Sequence, residues 1–147
     1  MLDLISFNDT LNSLYDRQTV LYNRVILVTS IGCGSSKEAT PPSVYEVLKD
    51  VLDQKNKAEN VLMKYYTNTN WTIIRPGGLV SETETGKAML TEDNTVIGSI
   101  HRGDVADLAV KALSSKNTEK KIFSAVDPSI VSSANPEKIT AEPFVLA

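Results

Sequence analysis

The sequence predicts an α/β fold: a parallel sheet of three core strands with flanking helices. Two observations carry that prediction. Three short β-prone runs, "RVILVTS" (24–30), "WTIIRP" (71–76) and "KIFSAV" (121–126), are largely apolar, as strands covered on both faces are. Helical stretches separate them, and a strand–helix–strand–helix–strand order belongs to parallel sheets with crossover connections.

The elements follow in order. Leu4, Phe7, Leu11, Leu14 and Leu21 stand at helical spacing and predict a helix over 3–21. The 24–30 strand runs into a loop, "IGCGSSKEATPP" (31–42). A long helix is expected over 43–66, with Ser43 as its N-cap and Glu46 completing a capping box. Its apolar stripe would be Val44, Leu48, Val51, Ala58, Leu62 and Tyr65, and Lys55 falls inside that stripe. A lysine so placed either snorkels out to water or points at a ligand's hydroxyls. After the 71–76 strand come a polar loop (81–94), a short extended piece (95–100) and a helix over 104–113 capped by Asp104. The 121–126 strand completes the core. Residues 129–147 read as an irregular, loosely packed tail, which leaves 1–128 as the domain.

Composition narrows the function classes. At 147 residues, 41% hydrophobic and 22% charged, this is an ordinary single globular domain. A net charge of −3 argues against nucleic acid and anionic membranes as partners. No apolar run approaches the roughly 18 residues of a membrane helix, and no signal peptide is visible at the start. The lone Cys33 rules out an internal disulfide and fits a reducing, cytoplasmic setting.

Ligands of such sheets sit beyond the carboxyl ends of the strands. The loops at 30–42, at 76–94 and after Val126 therefore share one rim. Gly32 and Gly34 follow a strand, but the third glycine of a phosphate cradle is replaced by Lys37, so a flexible turn is expected. Tyr45 and Lys49 have Tyr-x-x-x-Lys spacing yet lie off the apolar stripe, which makes them an exposed pair. Ser30 either donates into the crevice or simply forms a turn. His101 is the only histidine and there is no Gly-x-Ser-x-Gly elbow, which argues against a hydrolase. One cysteine, one histidine and scattered carboxylates show no metal-ligand spacing, and no metal is expected.

Four blocks in order, "RVILVTSIG", "KNKAENVL", "WTIIRPGGL" and "HRGDVADLAVKAL", resemble the atypical short-chain dehydrogenase/reductase family over about 24–128. The resemblance is to its NAD(P)H-binding, NmrA-like and flavin-reductase/biliverdin-reductase-B-like members. It implies the C-terminal part of a Rossmann-like sheet, NADP or NAD as cofactor, and hydride transfer to a small carbonyl or conjugated acceptor. It implies Ser30 and Lys55 as catalytic residues. The cofactor-binding set carried over is Thr29, Ser30, Lys55, Arg75, Pro76, Gly77, Gly78 and Leu79, with the glycines letting backbone approach the nicotinamide closely. Arg75 would pair with a carboxylate or serve the fold. Arg102, Gly103 and Asp104 match a helix-start motif on the substrate side, with Asp104 in a structural role.

Two departures qualify the likeness. Val51 stands where active members keep the tyrosine of Tyr-x-x-x-Lys, so the proton would come from solvent or substrate. The strand, glycine-rich turn and helix that cradle the pyrophosphate have no counterpart in this sequence. Cofactor binding would then be weak or absent if the chain is complete as given. A truncated reading frame, a decayed paralogue and a half that assembles with another subunit all fit. The 24–30 strand would expose an unpaired apolar edge, through which the chain would associate with itself or a partner subunit. A non-catalytic interaction module using that edge is the alternative to a reductase.

Overall fold

The computed structural model describes residues 24–130 and 139–147, and the helix expected over 3–21 lies outside them. The three anticipated core strands form. β1 (Arg24–Val28), β2 (Asn70–Pro76) and β6 (Lys121–Val126) lie side by side in parallel, with Ile26 opposite Thr72 and Ile74 opposite Phe123. A fourth strand, β4 (Met89–Thr91), adds antiparallel to β6 and gives the order β1-β2-β6-β4. Expected to be polar loop, the 89–91 stretch instead pairs because Leu90 and Thr91 are buried against Ala125 and Ser124. β3 (Gly78–Val80) and β5 (Ser99–His101) form a separate parallel pair, so the extended piece expected over 95–100 is strand only from Ser99.

Alternation along β2 assigns the two faces of the sheet. Trp71 and Ile73 point toward α1 (Pro42–Tyr65) and pack with Leu62, Val25 and Ile122. Ile74 points the other way, to Leu108 and Ala112 of α2 (Arg102–Ser114), together with Phe123 and Ile100. With a helix on each face, β2 is buried along nearly its whole length.

Several expectations change. β1 is only half-buried and Val28 is 43% exposed, because among the described residues β1 has a neighbour on one side alone. α1 begins at Pro42 after Pro41, and no side chain caps it. Proline at the first helical position has a suitable φ and no N–H to satisfy, so the Ser43–Glu46 capping box has no task. The buried face of α1 is also rotated from the expected stripe. Leu52, Glu59 and Leu62 are buried, whereas Val44, Leu48, Val51, Ala58 and Tyr65 are exposed. α2 starts two residues early, and Asp104 does not cap it: its carboxylate accepts the backbone N–H groups of Thr85 (3.1 Å) and Gly86 (3.0 Å). The described part of the tail is irregular but not loose. The Phe144 ring packs tilted against Phe123 with centroids 4.7 Å apart, and its N–H bonds the Leu90 carbonyl at 2.7 Å.

Candidate functional site

Where β1 and β2 end, their pairing continues into the loops: the N–H groups of Thr29 and Ile31 bond the carbonyls of Ile74 and Pro76. A pocket of about 200 Å³ opens at this rim. Its polar part is Thr29, Ser30 and Lys55; Pro76, Gly77 and Leu79 form one side, and Leu48, Val51 and Leu52 of α1 the other. Six of the eight residues carried over from the family resemblance thus come together here. Lys55 Nζ donates to the Thr29 carbonyl at 3.1 Å, which leaves two of its three N–H donors free of that bond. Ser30 Oγ donates to the Ile31 carbonyl at 2.9 Å and keeps its lone pairs.

Arg75 and Gly78 do not line the pocket. Arg75 is 3% exposed and turned under the rim, where it grips Glu59 through Nε–Oε1 (3.0 Å) and Nη2–Oε2 (2.7 Å) and donates from Nη1 to Ser35 Oγ (2.9 Å). Thr29 Oγ1 donates to the same Glu59 oxygen at 2.6 Å. Glu59 is completely buried, so this is a paired charge beneath the pocket floor, and it fixes the end of β1 to the end of β2 through α1. The glycines have an internal reason too. A Cβ on Gly77 would lie 2.1 Å from the Gly98 carbonyl oxygen, and the Gly78 N–H bonds that same carbonyl at 2.9 Å. A Cβ on Gly34 would meet Arg75 Nη2 at 2.7 Å. The 32–34 loop is then a left-handed turn that makes room for Arg75, followed by a single 3-10 segment (Gly34–Ala39).

Tyr45 packs under Lys37 rather than pairing with Lys49. Cys33 is buried with its Sγ 3.7 Å from the Leu52 carbonyl. Burial, followed by the nearby Glu59 carboxylate, pushes its thiol pKa up, so it is held as an unreactive thiol.

A second buried polar cluster lies elsewhere. His101, Asp104 and Asp127 come from the end of β5, the first turn of α2 and the residue after β6. Burial works against the Asp127 charge, yet hydrogen bonds from Ser129 and Thr85 outweigh it and hold that carboxyl below the usual range. Sequence reasoning missed this cluster because Asp127 lies 23 residues beyond Asp104 and joins the neighbouring His101 and Asp104 only in the folded chain. It missed Glu59 as well, although an acid four residues beyond Lys55 on the same helix was a usable signal.

A parallel-dominated sheet between two helix layers, with a pocket at the strand ends, defines a Rossmann-like nucleotide-binding domain. The model of the NAD(P)H-binding family matches residues 17–116, and the chain belongs to that family. An uncharacterized sugar epimerase, YhfK of Bacillus subtilis (strain 168), is 38% identical over 78 residues, covering 53% of this chain and 35% of that protein. Protein TIC 62, chloroplastic, of Pisum sativum is 34% identical over 121 residues, 78% of this chain and 21% of that protein. Among solved structures, ChuY, an anaerobillin reductase from Escherichia coli O157:H7, superposes with a TM-score of 0.69 at 28% identity, covering 75% of this chain and 52% of that one. The chain thus spans about half of that solved relative and about a third or less of these curated ones. No helix among the described residues is long and apolar enough to cross a membrane.

Proposed function

We propose that the rim pocket seats the nicotinamide–ribose end of NADP or NAD, and that the chain serves hydride transfer to a small carbonyl or conjugated acceptor. The observation that carries this reading is Lys55, held on the Thr29 carbonyl in the same pocket as Ser30, Pro76 and Gly77. Its remaining N–H donors suit vicinal ribose hydroxyls, and the Ser30 hydroxyl suits the carboxamide or the acceptor's oxygen. Val51 and Leu79 offer an apolar wall to a flat ring. About 200 Å³ falls below the roughly 300–1,000 Å³ of pockets that take a whole drug-sized ligand, so it suits a ring and ribose rather than a whole dinucleotide. Once bound, the reduced nicotinamide supplies the hydride. Val51, 55% exposed, offers no proton, so the acceptor takes one from solvent or carries its own.

Titration with NADPH, following nucleotide fluorescence, tests this. Saturable binding that weakens at least tenfold in Lys55→Ala is expected. No saturation up to millimolar nucleotide, or an unchanged Lys55→Ala, would sink the reading.

A second reading rests on the side of β1 that has no neighbour among the described residues. The exposed Val28 there, with the exposed Val44, Val47, Leu48 and Val51 on α1, suits association with a second copy or a partner subunit. Gel filtration showing a clean monomer at high micromolar concentration would dismiss self-association. The buried, reduced Cys33 fits the cytoplasm, which recovery in a secreted fraction would contradict.

A further inference from the structure

We propose that His101, Asp104 and Asp127 form a site for a divalent transition-metal cation of the zinc class. Asp104 and Asp127 are 2% and 0% exposed, and the only cation-forming side chain within ion-pair reach of either, among the described residues, is His101. A cation between them would add a counter-charge to the hydrogen bonds that already stabilise these buried carboxylates.

His101 makes no hydrogen-bonded ion pair with either carboxylate. Its side chain is 9% exposed, and its Nδ1 is aimed between the carboxylates at 3.6 Å from Asp104 Oδ2 and 3.9 Å from Asp127 Oδ2. Both separations exceed a hydrogen bond, and the buried Nδ1 has no hydrogen-bond partner at all. These are the spacings of atoms that share an ion rather than a proton. Donors about 2.0–2.2 Å from one zinc ion stand about 3.3–3.8 Å apart in tetrahedral to trigonal arrangements. The three candidate ligand atoms lie within 4.8 Å of one another, so an ion bound by all three would draw them together by up to about 1 Å.

The carboxylates are already oriented by their neighbours. Thr85 donates its N–H to Asp104 Oδ2 and its hydroxyl to Asp127 Oδ2, Gly86 donates to Asp104 Oδ1, and Ser129 donates twice to Asp127 Oδ1. Each Oδ2 keeps a lone pair for a metal, and such supporting donors are what fix metal-binding carboxylates. One imidazole and two carboxylates suit zinc-class ions better than magnesium, with a fourth position left to water or a ligand. A neutral His101 and two aspartates balance a dication's charge. The ion would staple the start of α2, the 81–88 loop and the end of β6, so its binding adds directly to stability.

The test uses chelator-stripped protein titrated with Zn²⁺ by calorimetry. One equivalent is expected to bind at micromolar or tighter Kd, with a rise in Tm. Affinity is expected to fall at least 100-fold in His101→Gln and in Asp127→Asn, and to be unchanged in Cys33→Ser. Because a variant can fail to fold, the wild-type His101 ring is also followed by ¹⁵N NMR. Its Nδ1 resonance should move with one equivalent of Zn²⁺. An Nδ1 signal that ignores Zn²⁺, a protonated ring that persists in its presence, or binding that survives His101→Gln would each overturn the proposal.

Discussion

The two faces of the sheet are built on different physics. The α2 face is apolar at its centre: Ile74, Ile100, Leu108, Ala112 and Phe123 are buried together. The α1 face begins the same way at Trp71 and Ile73, but toward the carboxyl ends of the strands it becomes polar. There Glu59, Arg75 and Thr29 are buried under a pocket carrying Lys55 and Ser30. One face holds the fold by area removed from water, which tolerates imprecision. The other holds it by directed bonds, and those bonds also position the rim. The α1 face thus carries a buried ion pair toward the carboxyl ends of the strands, whereas on the α2 side the buried acid Asp104 stands in the first turn of the helix, outside the apolar cluster.

The largest expected effect breaks that contrast at its centre. Glu59→Gln leaves the Arg75 guanidinium buried without a counter-charge and should cost about 3–5 kcal/mol in urea unfolding. A double change, Glu59→Leu with Arg75→Met, should recover most of the loss while NADPH binding stays impaired, since the strand ends lose their tie. A double variant as unstable as Glu59→Gln alone would show that the pair stabilises in its own right.

Gly77→Ala comes next. Its Cβ would meet the Gly98 carbonyl oxygen, a backbone atom that cannot rotate away, and a cost of about 1–3 kcal/mol is expected. Unchanged stability would mean that β3 and β5 slide apart freely. On the apolar face, Ile74→Val should cost only about 0.5–1.5 kcal/mol and leave nucleotide affinity untouched. An affinity change there would couple the faces and blur the contrast.

The smallest effect concerns acid. The folded carboxyl of Asp127 titrates below its ordinary value, so its contribution to stability is present above the unfolded value of 3.8 and is lost as pH falls through the depressed one. Asp127→Asn should flatten the stability–pH curve below about pH 4. An identical curve in the variant would place the acid sensitivity elsewhere.

Legibility followed the same division. The three core strands could be read because being covered by helices on both sides leaves a continuous apolar run in the sequence. Lys55 and Ser30 stood out by their places on a helix stripe and at a strand end, and the family resemblance added Pro76 and Gly77. The face of α1 was misjudged because Val44, Leu48 and Val51 look like core and are exposed, while Glu59 looks like surface and is fully buried. No helical period reveals that an arginine 16 residues away supplies the missing charge. Arg75 entered the cofactor set through the family resemblance, but side chains alternate along a strand and its turn falls on the α1 side, where it pairs with the Glu59 carboxylate as the other reading of it allowed.

By itself the sequence determined the fold class, the three core strands and the rim at which the pocket lies. These depend on local apolar patterning, which each segment carries independently of the others. Only the tertiary structure decided which polar groups are buried together: Glu59 with Arg75 and Thr29, and His101 with Asp104 and Asp127. A buried charge is tolerable only beside its partner, and that partner is set by strand register rather than by distance along the chain.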